Sequence, residues 1–74
     1  MEERVRAIMA DILMTDVTQI PDDASMDAIE KWDSLAHIDL IAALEEEFGV
    51  TFEVEEFQMM TSFVEIIEAL SRKL

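Results

Sequence analysis

Apolar positions recur along this chain at intervals of three and four rather than two. Val5, Ile8, Met9 and Ile12 fall at i, i+3, i+4 and i+7, which predicts an amphipathic helix over residues 2 to 14. The next stretch, TDVTQIPDDASMDAIEKW, contains Pro21 and several Asp, Ser and Thr residues with no sustained period. It reads as a long ordered loop pinned to the core by Ile20, Met26, Ile29 and Trp32, with a short helical turn inside it an equally simple reading. A second helix is expected from about Asp33 to Phe48, because Gly49 stands where a left-handed cap residue is wanted. The interval VTFEVEEFQMM has room for one short helix, over residues 54 to 60. Ser62 followed by Glu65 fits a capping box, and Phe63, Ile66, Ile67, Leu70 and Leu74 then form the buried stripe of a last helix. The pattern predicts an all-α fold, a small four-helix bundle of three main helices and one short one, with a long loop between helices 1 and 2.

Composition narrows the function classes. With 74 residues the chain is expected to form one domain, residues 1 to 74, burying about 60% of the surface its unfolded form exposes. There is no cysteine, so neither disulfides nor a thiolate metal site can supplement the core. MEERVRAIMADIL lacks the uninterrupted apolar run of a signal peptide or membrane span, and a soluble, cytoplasmic monomer is expected. Eighteen Asp plus Glu against five Lys plus Arg give a formal charge of -13. That field repels phosphate backbones, which excludes nucleic acid, and steers the chain toward basic patches on other proteins.

The second helix carries more apolar arc than one core contact needs. Leu40, Ile41, Leu44 and Phe48 make one strip; Leu35, Ile38 and Ala42 make another, flanked by Asp39, Glu45 and Glu46. The second strip is either a small docking patch ringed by carboxylates or a further buried contact of a central helix. At the head of the helix, the first backbone N–H groups lack internal partners and the dipole makes that end positive. Asp33 is suited to cap it, and a phosphate ester on Ser34 would be electrostatically favoured.

DSL at 33 to 35, leading a helix that ends ALEEEFG at 43 to 49, resembles the acyl carrier protein family, and the likeness extends along the whole order of elements. The resemblance implies that Ser34 receives 4'-phosphopantetheine from coenzyme A, with Asp33 and Leu35 beside it, and that acyl groups ride on the arm's thiol as thioesters. It implies no catalysis by the chain itself. Asp33, Leu35, Ile38, Asp39, Ala42, Glu45 and Glu46 would meet the partners: a phosphopantetheinyl transferase and the acyl-loading, acyl-modifying and acyl-transferring enzymes, through basic docking patches. The housekeeping fatty-acid pattern has glycine two residues before the Asp and an acid after the Leu; here Lys31 and Ala36 stand there, and Trp32 precedes Asp33. These departures favour a specialised stand-alone carrier in lipid, polyketide or secondary-metabolite synthesis over the main fatty-acid carrier. A peptidyl carrier ranks lower, because the glycine pair before the serine is missing, and a D-alanyl carrier, which can share the tryptophan, stays open.

Other readings compete for the same residues. Ser34 and His37 are three apart on one helix, but no GxSxG turn or second histidine is present to build a hydrolytic site. His37 reads instead as a surface residue near the serine, within reach of Asp33. Ser25, Ser62 and Ser71 lack the DSL context, and the acidic loop lacks an EF-hand pattern, so no metal site is expected. Met59 and Met60 are expected to pack the core, with an adaptable cavity between helices as the rival role. From another class, an acidic helical interaction module without a prosthetic group would share the composition.

Overall fold

The computed structural model describes residues 1–74 as helices α1 (Glu2–Ile12), α2 (Ser34–Phe48), α3 (Val54–Met59) and α4 (Phe63–Lys73), with one 3-10 turn (Val17–Gln19) in the loop. The helices stand where the periodicity puts them, α1 two residues shorter than expected and α3 one. Helix α1 stops because Met14 turns into the left-handed region at φ 55°, and Thr15 N–H closes the end on the Ala10 carbonyl at 2.9 Å. Helix α2 stops at Gly49, which takes the left-handed cap at φ 65° and donates to the Glu45 carbonyl. At the head of α4 the Ser62 hydroxyl accepts from Glu65 N–H at 3.2 Å. The Glu65 carboxylate accepts from the hydroxyls of Thr61 and Ser62 at 3.1 and 3.0 Å, so the cap is knitted through side chains.

Helix α1 packs against both α2 and α4, and the core lies between these three. Val5, Met9, Leu13, Leu40, Leu44, Ile66 and Leu70 are almost fully excluded from solvent, each burial contributing about 1.5–3 kcal/mol for the larger side chains. Two expectations need correction. Leu74 is 67% exposed, because α4 ends at Lys73 and no element covers its last turn; Ala69 takes its place in the buried stripe. Met60, the cap residue at the end of α3, is buried as expected, but Met59, in its last turn, is 64% exposed.

The long loop is ordered by the contacts that its apolar residues predict. Ile20 and Trp32 are buried, as is Ala24, while Met26 and Ile29 are half-buried against the same core. Met26 N–H donates to the Thr61 carbonyl and Phe63 N–H to the Ala24 carbonyl, both at 2.9 Å, which fastens the loop to the start of α4. Arg6 fastens its first half: its Nε donates to the Ile20 carbonyl at 2.8 Å, its guanidinium pairs with Asp22, and it lies 4.5 Å over the Phe63 ring.

Helix α3 is held differently. None of its side chains is fully buried, and Val54 is 69% exposed. Its Glu56 carboxylate pairs with Lys73 at 2.8 Å and accepts from Glu53 N–H at 2.8 Å. The Glu53 N–H first, and Lys73 second, hold the Glu56 carboxyl below the usual carboxylate range. Just upstream, Phe52 N–H donates to Glu45 of α2 at 2.8 Å.

Candidate functional site

The head of α2 is built by Asp33. Its backbone is extended (φ -96°, ψ -174°), its side chain accepts from Ala36 N–H at 2.9 Å, and its carbonyl accepts from His37 N–H at 2.8 Å. This is an ordinary side-chain cap, and it leaves the N–H groups of Ser34 and Leu35 without a protein partner at the positive end of a 15-residue helix. Ser34 is exposed, and its hydroxyl makes no hydrogen bond within the protein. An exposed, uncommitted hydroxyl beside two free donors suits a phosphodiester: the oxygen is available for esterification and the amides for the phosphate oxygens.

The rival hydroxyls are committed elsewhere or lack such a setting. Ser25 Oγ accepts from Ala28 N–H at 3.3 Å within its own turn, and Ser62 caps α4. Ser71 is exposed in the last turn of α4, at the helix's negative end.

The two apolar strips of α2 part as the wheel divides them. Leu40, Ile41 and Leu44 are buried and Phe48 half-buried, whereas Leu35 is 75% and Ile38 53% exposed, with Ala42 exposed beyond them. The second strip therefore faces solvent, and the flanking acids divide across it. Glu45 lies on the α3 side, half-buried and engaged with Phe52 N–H. Asp39 and Glu46 lie on the α1 side, both exposed, Asp39 in a shallow groove with Ile12, Leu13, Met14 and Lys31. The other groove, of about 420 Å³ between α2 and α3, is lined mainly by Ile38, Ile41, Ala42, Phe52, Val54 and Phe57, with Glu45 and Glu53 at its edge.

The placement of His37 differs from the sequence reading. It is buried, 4% exposed, and does not approach Asp33 through its ring. Nδ1 accepts from the Trp32 indole N–H at 3.1 Å, and the opposite nitrogen, Nε2, donates to the Phe57 carbonyl at 2.9 Å. The tautomer protonated at Nε2 is the one that satisfies both partners. The ring packs against the Phe57 ring with centroids 4.6 Å apart. The signal was available: His37 precedes Leu40, Ile41 and Leu44 by three, four and seven, so it belongs to the buried strip. With both nitrogens occupied and the ring turned inward, Ser34 has no neighbouring base. No three acidic or histidine side chains stand close enough together to hold a metal ion, and no helix is long and apolar enough to cross a membrane.

Comparison with known proteins supplies the family. The phosphopantetheine attachment site family matches residues 3–72. An acyl carrier protein of Thermosynechococcus vestitus is 36% identical over 72 residues, covering 97% of this chain and 89% of that protein. One from Petrotoga mobilis is 39% identical over 72 residues, covering 97% and 85%. Polyketide-8 synthase acyl carrier protein 2 of Streptomyces avermitilis is 34% identical over 73 residues, covering 99% and 84%. The family's prosthetic group is 4'-phosphopantetheine, and its members work with phosphopantetheinyl transferases and acyl-handling enzymes rather than as catalysts themselves. From its helices to its serine-headed α2, this chain belongs to the acyl carrier protein family.

Proposed function

We propose that residues 1–74 form one carrier domain in which Ser34 is the attachment point of 4'-phosphopantetheine. The single observation that carries this reading is the exposed, unpartnered Ser34 hydroxyl at the positive tip of α2. Once attached, the group supplies a thiol on which acyl groups are held as thioesters. Around it the chain's own residues divide the work. Asp33 fixes the helix start, which leaves the N–H groups of Ser34 and Leu35 free to hold the phosphate were it attached. Leu35, Ile38 and Ala42 give partner enzymes an apolar strip, with Glu45 on one edge and Asp39 and Glu46 on the other. The strip orients the complex, while the acids draw in basic surfaces, so association should weaken as salt rises. A tethered substrate then gains in effective concentration at each partner's active site without the carrier doing chemistry. The groove between α2 and α3 offers the carried chain an apolar wall.

Lys31, Trp32 and Ala36 in place of the housekeeping residues support a specialised stand-alone role, and the similarity to a polyketide synthase carrier favours polyketide or related synthesis within that class. A cytoplasmic monomer completes the proposal. Intact mass after incubation with coenzyme A and a broad-specificity phosphopantetheinyl transferase tests it. Wild type should gain one phosphopantetheine and Ser34→Ala none; a gain on the alanine variant would move the attachment point, and no gain on either would favour an interaction module without a prosthetic group.

A further inference from the structure

Helix α3 is six residues long and buries no side chain completely, so apolar packing alone does not explain its position. Its last carbonyls have no donors within the helix. One of them, Phe57 O, finds its donor outside the helix, in His37 Nε2–H from the first turn of α2. The imidazole in turn accepts from Trp32, two residues before Ser34. A continuous chain of hydrogen bonds thus runs from the segment that leads into the serine, through the base of α2, to the C-terminal end of α3. The N-terminal half of α3 is tied separately, by Lys73 to Glu56. Between these ties stands the wall of the apolar groove, Val54 and Phe57 on α3 facing Ile38 and Ile41 on α2.

We propose that Trp32 and His37 are positioning residues, a strut that holds α3 closed against the Ser34 end of α2 and so sets the width of the groove. The claim that a carried acyl chain is the groove's occupant rests on the carrier reading; the strut itself does not. The chemistry demands a neutral ring. A second ring proton would place Nδ1–H against the indole N–H, two donors with no acceptor between them. No charged group offers compensation. On α2 the Asp33 carboxylate is engaged with Ala36 N–H, on α3 Glu53 and Glu55 are exposed and Glu56 is held by Lys73, and in the loop Glu30 and Lys31 are exposed. No acid or base of α1 or α4 forms an ion pair with the ring.

Amide hydrogen exchange on the protein without its prosthetic group is the test. His37→Phe keeps the ring's bulk but leaves the indole N–H and the Phe57 carbonyl unpaired. It should speed exchange in α3 by about tenfold to a hundredfold, while α1 and the centre of α2 stay protected. His37→Gln, whose amide offers an acceptor and a donor, should restore most of the protection, and Trp32→Phe should reproduce part of the loss. Unchanged α3 exchange in His37→Phe, or no recovery of protection in His37→Gln, would overturn the strut. Should His37→Phe not fold, Trp32→Phe still decides, because α3 exchange equal to that of wild type would overturn the strut. For the groove, protein loaded with octanoyl-phosphopantetheine should lose its thioester to hydroxylamine several-fold faster in His37→Phe than in wild type. Equal rates would overturn the groove assignment, whereas absence of any mass gain on Ser34 would count against the carrier reading and leave the exchange result standing.

Discussion

Helices α1, α2 and α4 on one side and α3 on the other are held by different forces. The first three share a core in which Val5, Met9, Leu40, Leu44, Ile66 and Leu70 are essentially dry. Apolar burial is large and non-directional, so that framework resists displacement of any of its members. Helix α3 contributes only the partly buried Phe57 to that core and is otherwise placed by directional polar ties to α2 and α4, each of modest net strength. Such a helix can be released without unfolding the rest. The division puts the serine on the rigid framework and the wall beside it on the part that can move.

Core truncation should give the largest contrast between the two regions. Leu40→Ala removes a fully buried side chain and should cost about 2–5 kcal/mol, a large share of the roughly 5–15 kcal/mol typical of small domains. Val54→Ser, on the exposed face of α3, should change stability by less than about 0.5 kcal/mol. Urea denaturation of both variants measures the contrast, and comparable losses would break it.

The two left-handed helix ends offer a smaller effect with opposite signs. Nothing lies within 4 Å of where a β-carbon on Gly49 would stand, so Gly49→Ala should cost only the strain of the backbone conformation, about 1 kcal/mol. Met14 adopts the same region with a side chain that is 82% exposed and packs against little. Met14→Gly should therefore raise stability, by a few tenths to about 1 kcal/mol, in the same urea assay.

The smallest effect sharpens the account of α3 alone. Glu56 titrates below its ordinary range in the folded chain, so its ties contribute above the unfolded value and are lost as pH falls through the folded one. Exchange in the first turn of α3 should rise on acidification, with Lys73→Met already part-way there at neutral pH. An acid response of the same size in wild type and Lys73→Met would assign the shift wholly to the Glu53 N–H.

Most of this architecture was legible because it follows from periodicity and caps. Val5 and Met9, Leu40 and Leu44, Ile66 and Leu70 announce their faces by spacing alone, and Asp33, Gly49 and Ser62 mark helix ends by residue type. The placement of Ser34 at the exposed head of α2 was legible for the same reason, as a hydroxyl directly after a cap. His37 was misread because residue type argued for the surface and outweighed a register that argued for the core; the partners that make its burial tolerable, Trp32 and Phe57, stand five and 20 residues away. Register alone puts Glu45 on one edge of the strip and Asp39 and Glu46 on the other; what stayed hidden was that the Glu45 edge faces α3. Leu74 misled through a period that outran its helix.

Arg6 has a consequence for how the connection ahead of the serine is encoded. Three groups from two segments converge on one planar fork: a loop carbonyl, a loop acid and an aromatic ring of α4. The course of that connection is therefore written at a distant position as well as in its own residues. A lysine there would keep the charge yet lack the flat, forked head that grips all three, and the approach to the serine would slacken although none of its own letters had changed.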